Sequence, residues 1–349
     1  MIQSIRLKNI RRFKDQKFEF APKVNLIVGP NGSGKTTILE SIAFFSFGKF
    51  QSVEHDSFVI GGAGEIGRLE AFLEKKAEIS AEVAILQKQK IVKIFDKKVP
   101  NSQVVGLLKT VFFNPKTVEI VGGPPQIRRR EIDMVLAQKD PDFVKTLLHY
   151  RMVLRERNML LKAIFQKKSA LSELDFWNEK LVKYALEIYE ARIGLIDFIN
   201  QDIAATYEKL LSSGTNLTLE YLPSANYERL SEQLIATQDE DIKFGVSSIG
   251  PHRDDILFKN SKLVLKEGGS RGEQRMAAIS FKAETKKFLK QTGEVILILD
   301  DVFSELDHKR RESVLNVLDI IDHAQVFISA TDEKVIPEKL IQSAKVIRL

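Results

Sequence analysis

Gly29-Pro30-Asn31-Gly32-Ser33-Gly34-Lys35-Thr36 satisfies the pattern G-x-x-x-x-G-K-[ST] at every fixed position. No other stretch constrains the fold as tightly, because this loop requires an apolar strand before it and a helix after it. Both are present. Val24-Asn25-Leu26-Ile27-Val28 is a short apolar run suited to a buried strand, and the spacing from Lys35 to about Phe47 predicts a helix. The glycines let the backbone wrap a phosphate with inward N–H groups, and the helix N-terminus adds the positive end of its dipole. In such a loop Lys35 reaches the β- and γ-phosphates and the Thr36 hydroxyl ligates Mg²⁺. A flexible glycine turn would account for the glycines, but not for the strand and helix around them.

A second element agrees with the first. Val295-Ile296-Leu297-Ile298-Leu299 is a buried-strand pattern that ends on Asp300-Asp301. Asp300 is expected to serve Mg²⁺, and Asp301 stands where a general base or water-orienting group belongs. The acids could instead cap the helix expected near His308, although Ser304 and Asp307 are better placed for that.

Around these motifs the periodicity changes twice. Before Gly122-Gly123-Pro124-Pro125 the chain reads as strands and turns, with alternation at Ile2, Ile5 and Leu7 and further strands over Arg68–Phe72, Ile79–Leu86 and Ile91–Phe95. Beyond that breaker, Phe143 to Phe165 and Trp177 to Ile199 carry apolar residues at helical spacing. From about Phe244 strands and helices alternate again. The expected fold is therefore α/β, a mixed sheet with flanking helices in residues 1–125 and 241–349, interrupted by an inserted α-helical lobe at 126–240.

Composition narrows the rest. The chain has no cysteine, which excludes a disulfide framework, a thiol nucleophile and a Cys-ligated metal. No apolar run approaches the roughly 18 residues that span a bilayer, and the N-terminus shows no export pattern. A cytoplasmic protein without a membrane partner is expected. The net charge of +6 is modest, but Gln126 to Ala170 alone holds 11 Lys/Arg against 5 Asp/Glu. Such clustering suits a polyanion, since binding releases counterions from phosphates. Arg128, Arg129, Arg130, Arg151, Arg155 and Arg157 are the DNA-contact candidates, with backbone phosphates of duplex or gapped DNA as the expected partner.

Ser270-Arg271-Gly272-Glu273-Gln274 resembles the S-G-G-Q signature of ABC-type ATPases, with Arg271 in place of the first paired glycine. Ser304-Glu305-Leu306-Asp307 resembles their D-loop. The resemblance implies an ABC-type P-loop ATPase head in which Ser270, Gly272 and Gln274 complete a second subunit's site, so that two ATP molecules join a homodimer. Several positions depart from transporter cassettes. Ala330 and Thr331 stand where a switch histidine is placed, and His323 precedes the strand. Asp301 replaces a glutamate one methylene longer, and no Q-loop glutamine is evident around Phe113 to Pro115.

Further segments resemble the RecF family of recombination mediators. They are Leu7-Lys8-Asn9-Ile10-Arg11-Arg12-Phe13, Phe113-Asn114-Pro115, Gly123-Pro124 with Arg128 to Arg130 and Asp133, the hexapeptide Gly250-Pro251-His252-Arg253-Asp254-Asp255, and Leu299 to Asp307. What this implies is a weak ATPase of recombinational repair and replication-gap processing. It would bind DNA and dimerise on ATP, and act with RecR- and RecO-like proteins to place RecA on gapped DNA. Gly29 to Thr37 would hold the nucleotide, Thr37 included, and Arg11 would touch its phosphates or base. The hexapeptide is readable either as a turn into a strand, with Arg253 paired to an acid, or as a contact coupling the lobe to nucleotide. The alternatives are the nucleotide-binding subunit of an ABC transporter and an SMC-like structural ATPase, whose coiled coils need longer helices than these. A nuclease related to ABC heads would need a further acidic metal-binding domain.

Overall fold

The computed structural model describes residues 1–62, 66–74, 78–211, 214–303, 308–317, 325–333, 336 and 338–349. They form two compact units, Met1–Thr117 with Ile279–Leu349, and Val118–Ala278.

In chain order the first unit begins with β1 (Ile2–Ile10), β2 (Phe13–Glu19), β3 (Val24–Val28), α1 (Lys35–Phe47), β4 (Gly67–Glu74), β5 (Glu78–Ile85), β6 (Lys90–Ile94), β7 (Lys97–Val99) and β8 (Thr110–Phe113). The second unit holds α2 (Glu119–Gly122), α3 (Pro125–Lys139), α4 (Pro141–Phe165), α5 (Leu174–Leu211), β9 (Leu217–Leu222), α6 (Leu230–Ala236), α7 (Gln238–Phe244), β10 (Asp255–Asn260), α8 (Leu265–Gly268) and the start of α9 (Arg271–Lys290). The chain then adds β11 (Ile296–Asp300), α10 (His308–Val317), β12 (Val326–Ala330), α11 (Glu338–Ile341) and β13 (Ala344–Arg348) to the first unit.

Parallel and antiparallel pairing are segregated in that first unit. One sheet runs β2-β1-β4-β5-β6-β7 with antiparallel neighbours, and the other runs β13-β3-β12-β11-β8 with parallel ones. The sequence explains the difference. β1 and β4 alternate buried and exposed positions, as strands with one wet face do, whereas Ile296–Asp300 and Val326–Ala330 are buried throughout. Helix α1 packs against strands of both sheets, and eleven of its thirteen residues are buried. It therefore has no polar stripe, and it ends on Gly48 in the left-handed conformation. The buried Gln325 amide ties the sheets together. Its Oε1 accepts from Ile2 N at 2.8 Å, and its Nε2 donates to Ile2 O and Ala21 O at 2.7 and 2.9 Å.

The second unit starts earlier and ends later than the 126–240 lobe read from periodicity. The reason lies in β10. This strand was expected to return to the α/β core, but it pairs antiparallel with β9, from Asp255↔Leu222 to Asn260↔Leu217. β9 was not anticipated, and its pairing with β10 means that the lobe is not purely helical. In α5 a buried stripe runs Leu174, Asn178, Leu181, Ala185, Ile188, Arg192, Leu195 and Ile199 in alternating steps of four and three, with Ile196 buried beside it.

Candidate functional site

The loop after β3 lines a cavity of about 410 Å³, together with Arg11, Arg12, Pro115, Asp300 and Asp301. The loop residues at its wall are Asn31, Gly32, Gly34, Lys35, Thr36 and Thr37. Gly34 is doubly required, since its φ is 101° and a Cβ there would lie 2.5 Å from the Phe13 ring. Lys35 is buried, and its Nζ donates to Gly29 O at 2.6 Å and Pro30 O at 2.9 Å. The buried Ser33 Oγ has no hydrogen-bond partner among the described residues. An ammonium held only by loop carbonyls and an unpartnered hydroxyl are a donor set that fits a phosphate.

Parallel pairing brings the acidic strand end to this loop. Thr36 Oγ1 donates to Asp300 Oδ2 at 2.8 Å, and Ser329 Oγ donates to Asp300 Oδ1 at 2.6 Å. Burial pushes the Asp300 carboxyl above its ordinary value, against the hydrogen bonds from Ser329 and Thr36, while the Asp301 charge adds to the rise. Asp301 has φ 53°, which aspartate tolerates better than most residues, and its N–H donates to Ser329 Oγ at 3.0 Å. A hydroxyl and a carboxylate held 2.8 Å apart, both hard oxygen donors, fit Mg²⁺.

Arg11 lines the same cavity, but its guanidinium donates to Thr37 Oγ1 at 3.1 Å, Glu40 Oε2 at 2.9 Å and Ser52 Oγ at 2.5 Å. Two residues at this site were missed from sequence. Arg12 Nη1 donates to Gly32 O at 2.7 Å and presents a second guanidinium beside the loop. Ser329 holds the Asp300 carboxylate and the Asp301 backbone N–H. It gave no signal of its own, because its role arises from the Asp300↔Ser329 register of β11 and β12.

In the second unit Ser270 is exposed and caps α9. Its N–H and Oγ both donate to Glu273 Oε2, at 2.9 and 2.7 Å, and Glu273 N–H donates back to Oγ at 3.3 Å. These bonds hold the Glu273 carboxyl below its ordinary range. Gln274 Nε2 donates to Leu265 O and Gly269 O at 2.8 and 3.2 Å, fixing the segment before the helix. A Cβ on Gly272 would meet nothing nearer than Ser270 Oγ at 4.0 Å, so no neighbour among the described residues requires glycine there. Ser304 to Asp307 and His323 lie outside the described residues.

The arginine candidates divide. Arg128 and Arg157 are corrected from surface contacts to core residues. Arg128, 2% exposed, gives Nε and Nη2 to Asp255 at 2.7 and 2.9 Å. Arg157, fully buried, binds Asp241 Oδ2 at 2.8 Å, Ser247 Oγ at 2.7 Å and Asn178 Oδ1 at 2.7 Å. A guanidinium enclosed in this way has no route to a DNA phosphate. Arg130, Arg151 and Arg155 are exposed, Arg129 is half-buried, and Arg155 pairs with its neighbour Glu156.

The hexapeptide is the hub of this buried polar network. Asp254 accepts from Tyr227 Oη at 2.6 Å, Ser224 N at 2.7 Å and Tyr221 Oη. Tyr150 Oη meets His252 Nδ1 at 2.6 Å, and His252 Nε2 meets Ser247 O at 3.0 Å. The turn does lead into β10, but the acid pairing falls to Asp255 with Arg128, while exposed Arg253 reaches Ser247 O at 3.3 Å.

The profile of the RecF/RecN/SMC N terminal domain matches residues 1–347. The "DNA replication and repair protein RecF" of Staphylococcus carnosus is 31% identical over 363 residues, covering 100% of this chain and 98% of its own. The protein of that name from Acetivibrio thermocellus is 35% identical over 353 residues, covering 95% and 94%. This chain belongs to the RecF family. A solved structure of the recombination mediator protein RecF with ATP in the RecFOR pathway superposes with a TM-score of 0.89 at 27% identity, covering 95% of this chain and 92% of that one. The first unit, with its two sheets around a P-loop helix, has the ABC-type ATPase head fold of this family. Among the described residues no helix is long and apolar enough to cross a membrane.

Proposed function

We propose that this chain is an ATP-dependent DNA-binding protein of recombinational repair and replication-gap processing. Two copies join when ATP is held, and slow hydrolysis releases them. With RecO- and RecR-like partners the dimer helps load RecA on gapped DNA. The observation that carries the reading is the cavity where Lys35, Thr36 and Asp300 meet. Its setting supports the rest, since the matched relatives are named for DNA replication and repair and match end to end.

The roles follow from the chemistry of each group. Bound Mg·ATP supplies the anhydride bond that is broken. Lys35 exchanges its loop carbonyls for phosphate oxygens, while Thr36 and Asp300 hold the metal ion. Asp301 orients the attacking water, and its short side chain favours slow turnover. Ser270, Gly272 and Gln274 belong to a second copy's site. An exposed capping hydroxyl, a helix N-terminus and a glycine with open space beside it would suit a partner's γ-phosphate.

The transporter alternative has no observation in its favour, because β12 ends on Ala330 and is followed by Thr331, where a switch histidine stands in those cassettes.

The test is calorimetric binding of Mg·ATP to the wild-type and Lys35→Met proteins. It is combined with binding to gapped, duplex and single-stranded DNA in ATP, in ADP and without nucleotide. Binding of ATP that Lys35→Met abolishes, with tighter DNA binding in ATP than in ADP, is expected. Indifference to Mg·ATP would end the proposal.

A further inference from the structure

Helices α3, α4 and α5 leave a cleft of about 200 Å³ within the second unit. Arg129, Arg130 and Asp133 face it from α3, Arg151 from α4 and Arg192 from α5, while His252 lies at its edge. Four guanidiniums and one carboxylate thus share a small space, and that carboxylate is already engaged. Asp133 takes Nε and Nη2 of Arg192 at 2.9 and 3.0 Å. Arg192 Nη1 donates to Pro251 O at 2.8 Å and Tyr221 Oη at 3.3 Å. One Nη2 hydrogen remains without a partner among the described residues, on a side chain 3% exposed.

Arg129 and Arg151 are less satisfied. Arg129 donates to Asp254 O at 2.5 Å, and neither Arg129 nor Arg151 makes an ion pair among the described residues. Burial draws Arg129 and Arg130 below their ordinary values, helped by Arg192 and Arg151 as like-charged neighbours and opposed by Asp255, Asp254 and Asp133 at Arg129 and by Glu131 at Arg130. His252 adds no charge, because burial holds it down to about 4. Four guanidiniums line the cleft with Asp133 as its one lining carboxylate, and the nearby Asp254 and Asp255 are engaged by Tyr221, Tyr227 and Ser224 and by Arg128, so the cleft favours an anionic ligand. The forked guanidinium matches phosphate oxygens two at a time.

We propose that this cleft seats a phosphodiester group of the DNA backbone, held by Arg129, Arg130 and Arg151 above a buried Arg192. The proposal rests on the DNA-binding reading and gives it a location. The phosphate is read for charge and shape, so the contact is independent of base sequence.

The test uses the full chain with Mg·ATP and a labelled duplex, titrated by fluorescence anisotropy at several salt concentrations. Arg151→Glu, at an exposed position that folding tolerates, weakens binding about tenfold or more and lowers the salt slope by about one or two. Arg155→Glu, one turn along α4 and outside the cleft, has much the smaller effect. Equal losses for both variants, or an unchanged slope for Arg151→Glu, would overturn the cleft.

A second measurement does not depend on nucleotide, so it separates failure of the cleft from failure of the ATP-switched reading. Phenylglyoxal labelling of Arg151 is followed by mass spectrometry, with inorganic phosphate, a short duplex and an acidic peptide as separate protectants. Protection by phosphate and duplex is the expected result. Protection by phosphate alone, by the acidic peptide but not the duplex, or by none of them overturns the assignment to DNA.

Discussion

Thr36 Oγ1 donates to Asp300 Oδ2 at 2.8 Å, joining the first turn of α1 to the end of β11 across 264 positions of sequence. Ser329 holds the other oxygen of the same carboxylate at 2.6 Å. Asp300→Asn keeps the shape but removes the charge that Mg²⁺ needs, so Mg²⁺-dependent hydrolysis is lost while the fold persists. Ser329→Ala leaves the carboxylate held by Thr36 alone among the described residues, and Mg²⁺ affinity falls roughly 10- to 100-fold. Titrating ATPase activity against Mg²⁺ concentration distinguishes the two variants. Wild-type Mg²⁺ dependence in Ser329→Ala would remove its orienting role.

Ser270→Arg separates binding from association. The residue is remote in sequence from the phosphate loop and caps α9, so its loss lowers stability by only about 1 kcal/mol. ATP affinity measured by calorimetry stays at the wild-type value. ATP-induced dimers, followed by light scattering, disappear. Dimers that persist in this variant would contradict a site completed in trans.

Arg157→Ala tests the correction of that arginine from surface to core. Asp241 loses its counter-charge at a fully buried position, keeping the bond from Ser248 N at 2.9 Å. Breaking a buried pair from one side costs roughly 3–5 kcal/mol. Urea unfolding of the variant shows that loss, and duplex affinity of the protein that remains folded is unchanged. A variant of normal stability with weakened DNA binding would return Arg157 to the surface.

His252 makes the second unit sensitive to acid. Burial lowers it to about 4, against an ordinary value of 6.5. The unfolded chain therefore takes up a proton that the folded one refuses, and stability falls as pH drops from about 6.5 towards 4. The loss is at most roughly 3.5 kcal/mol at about 1.4 kcal/mol per unit. Above pH 7 the residue contributes no slope. Denaturation at pH 7 and pH 5 shows a smaller difference for His252→Gln than for wild type. Equal differences would mean that other groups set the acid limit.

The chemistry of the first unit was the more legible part. A phosphate loop is local, so Gly29 to Thr36 announced both the loop and α1 from Lys35 to Phe47, and the apolar run to Leu299 announced the acidic strand end. Ser329 and Arg12 were not legible, because each acts through a neighbour brought by tertiary packing. The basic stretch misled for a related reason. Arg128 and Arg157 look like their exposed neighbours along the chain, but each lies on the inward side of its helix. Their partners Asp255 and Asp241 are 127 and 84 positions away. β9 was overlooked although Leu217, Leu219 and Tyr221 alternate with Thr218 and Glu220, because that short period-2 run sits in a stretch dominated by helical spacing.

The ring of Phe13 fills the space that a side chain at position 34 would need, and the backbone there is one that L-residues avoid. Trimming the ring would relieve only the first of these obstacles. In any lineage descended from this protein the two sites therefore drift unequally. Position 13 is free to sample other bulky apolar residues, whereas position 34 stays fixed however its neighbour changes.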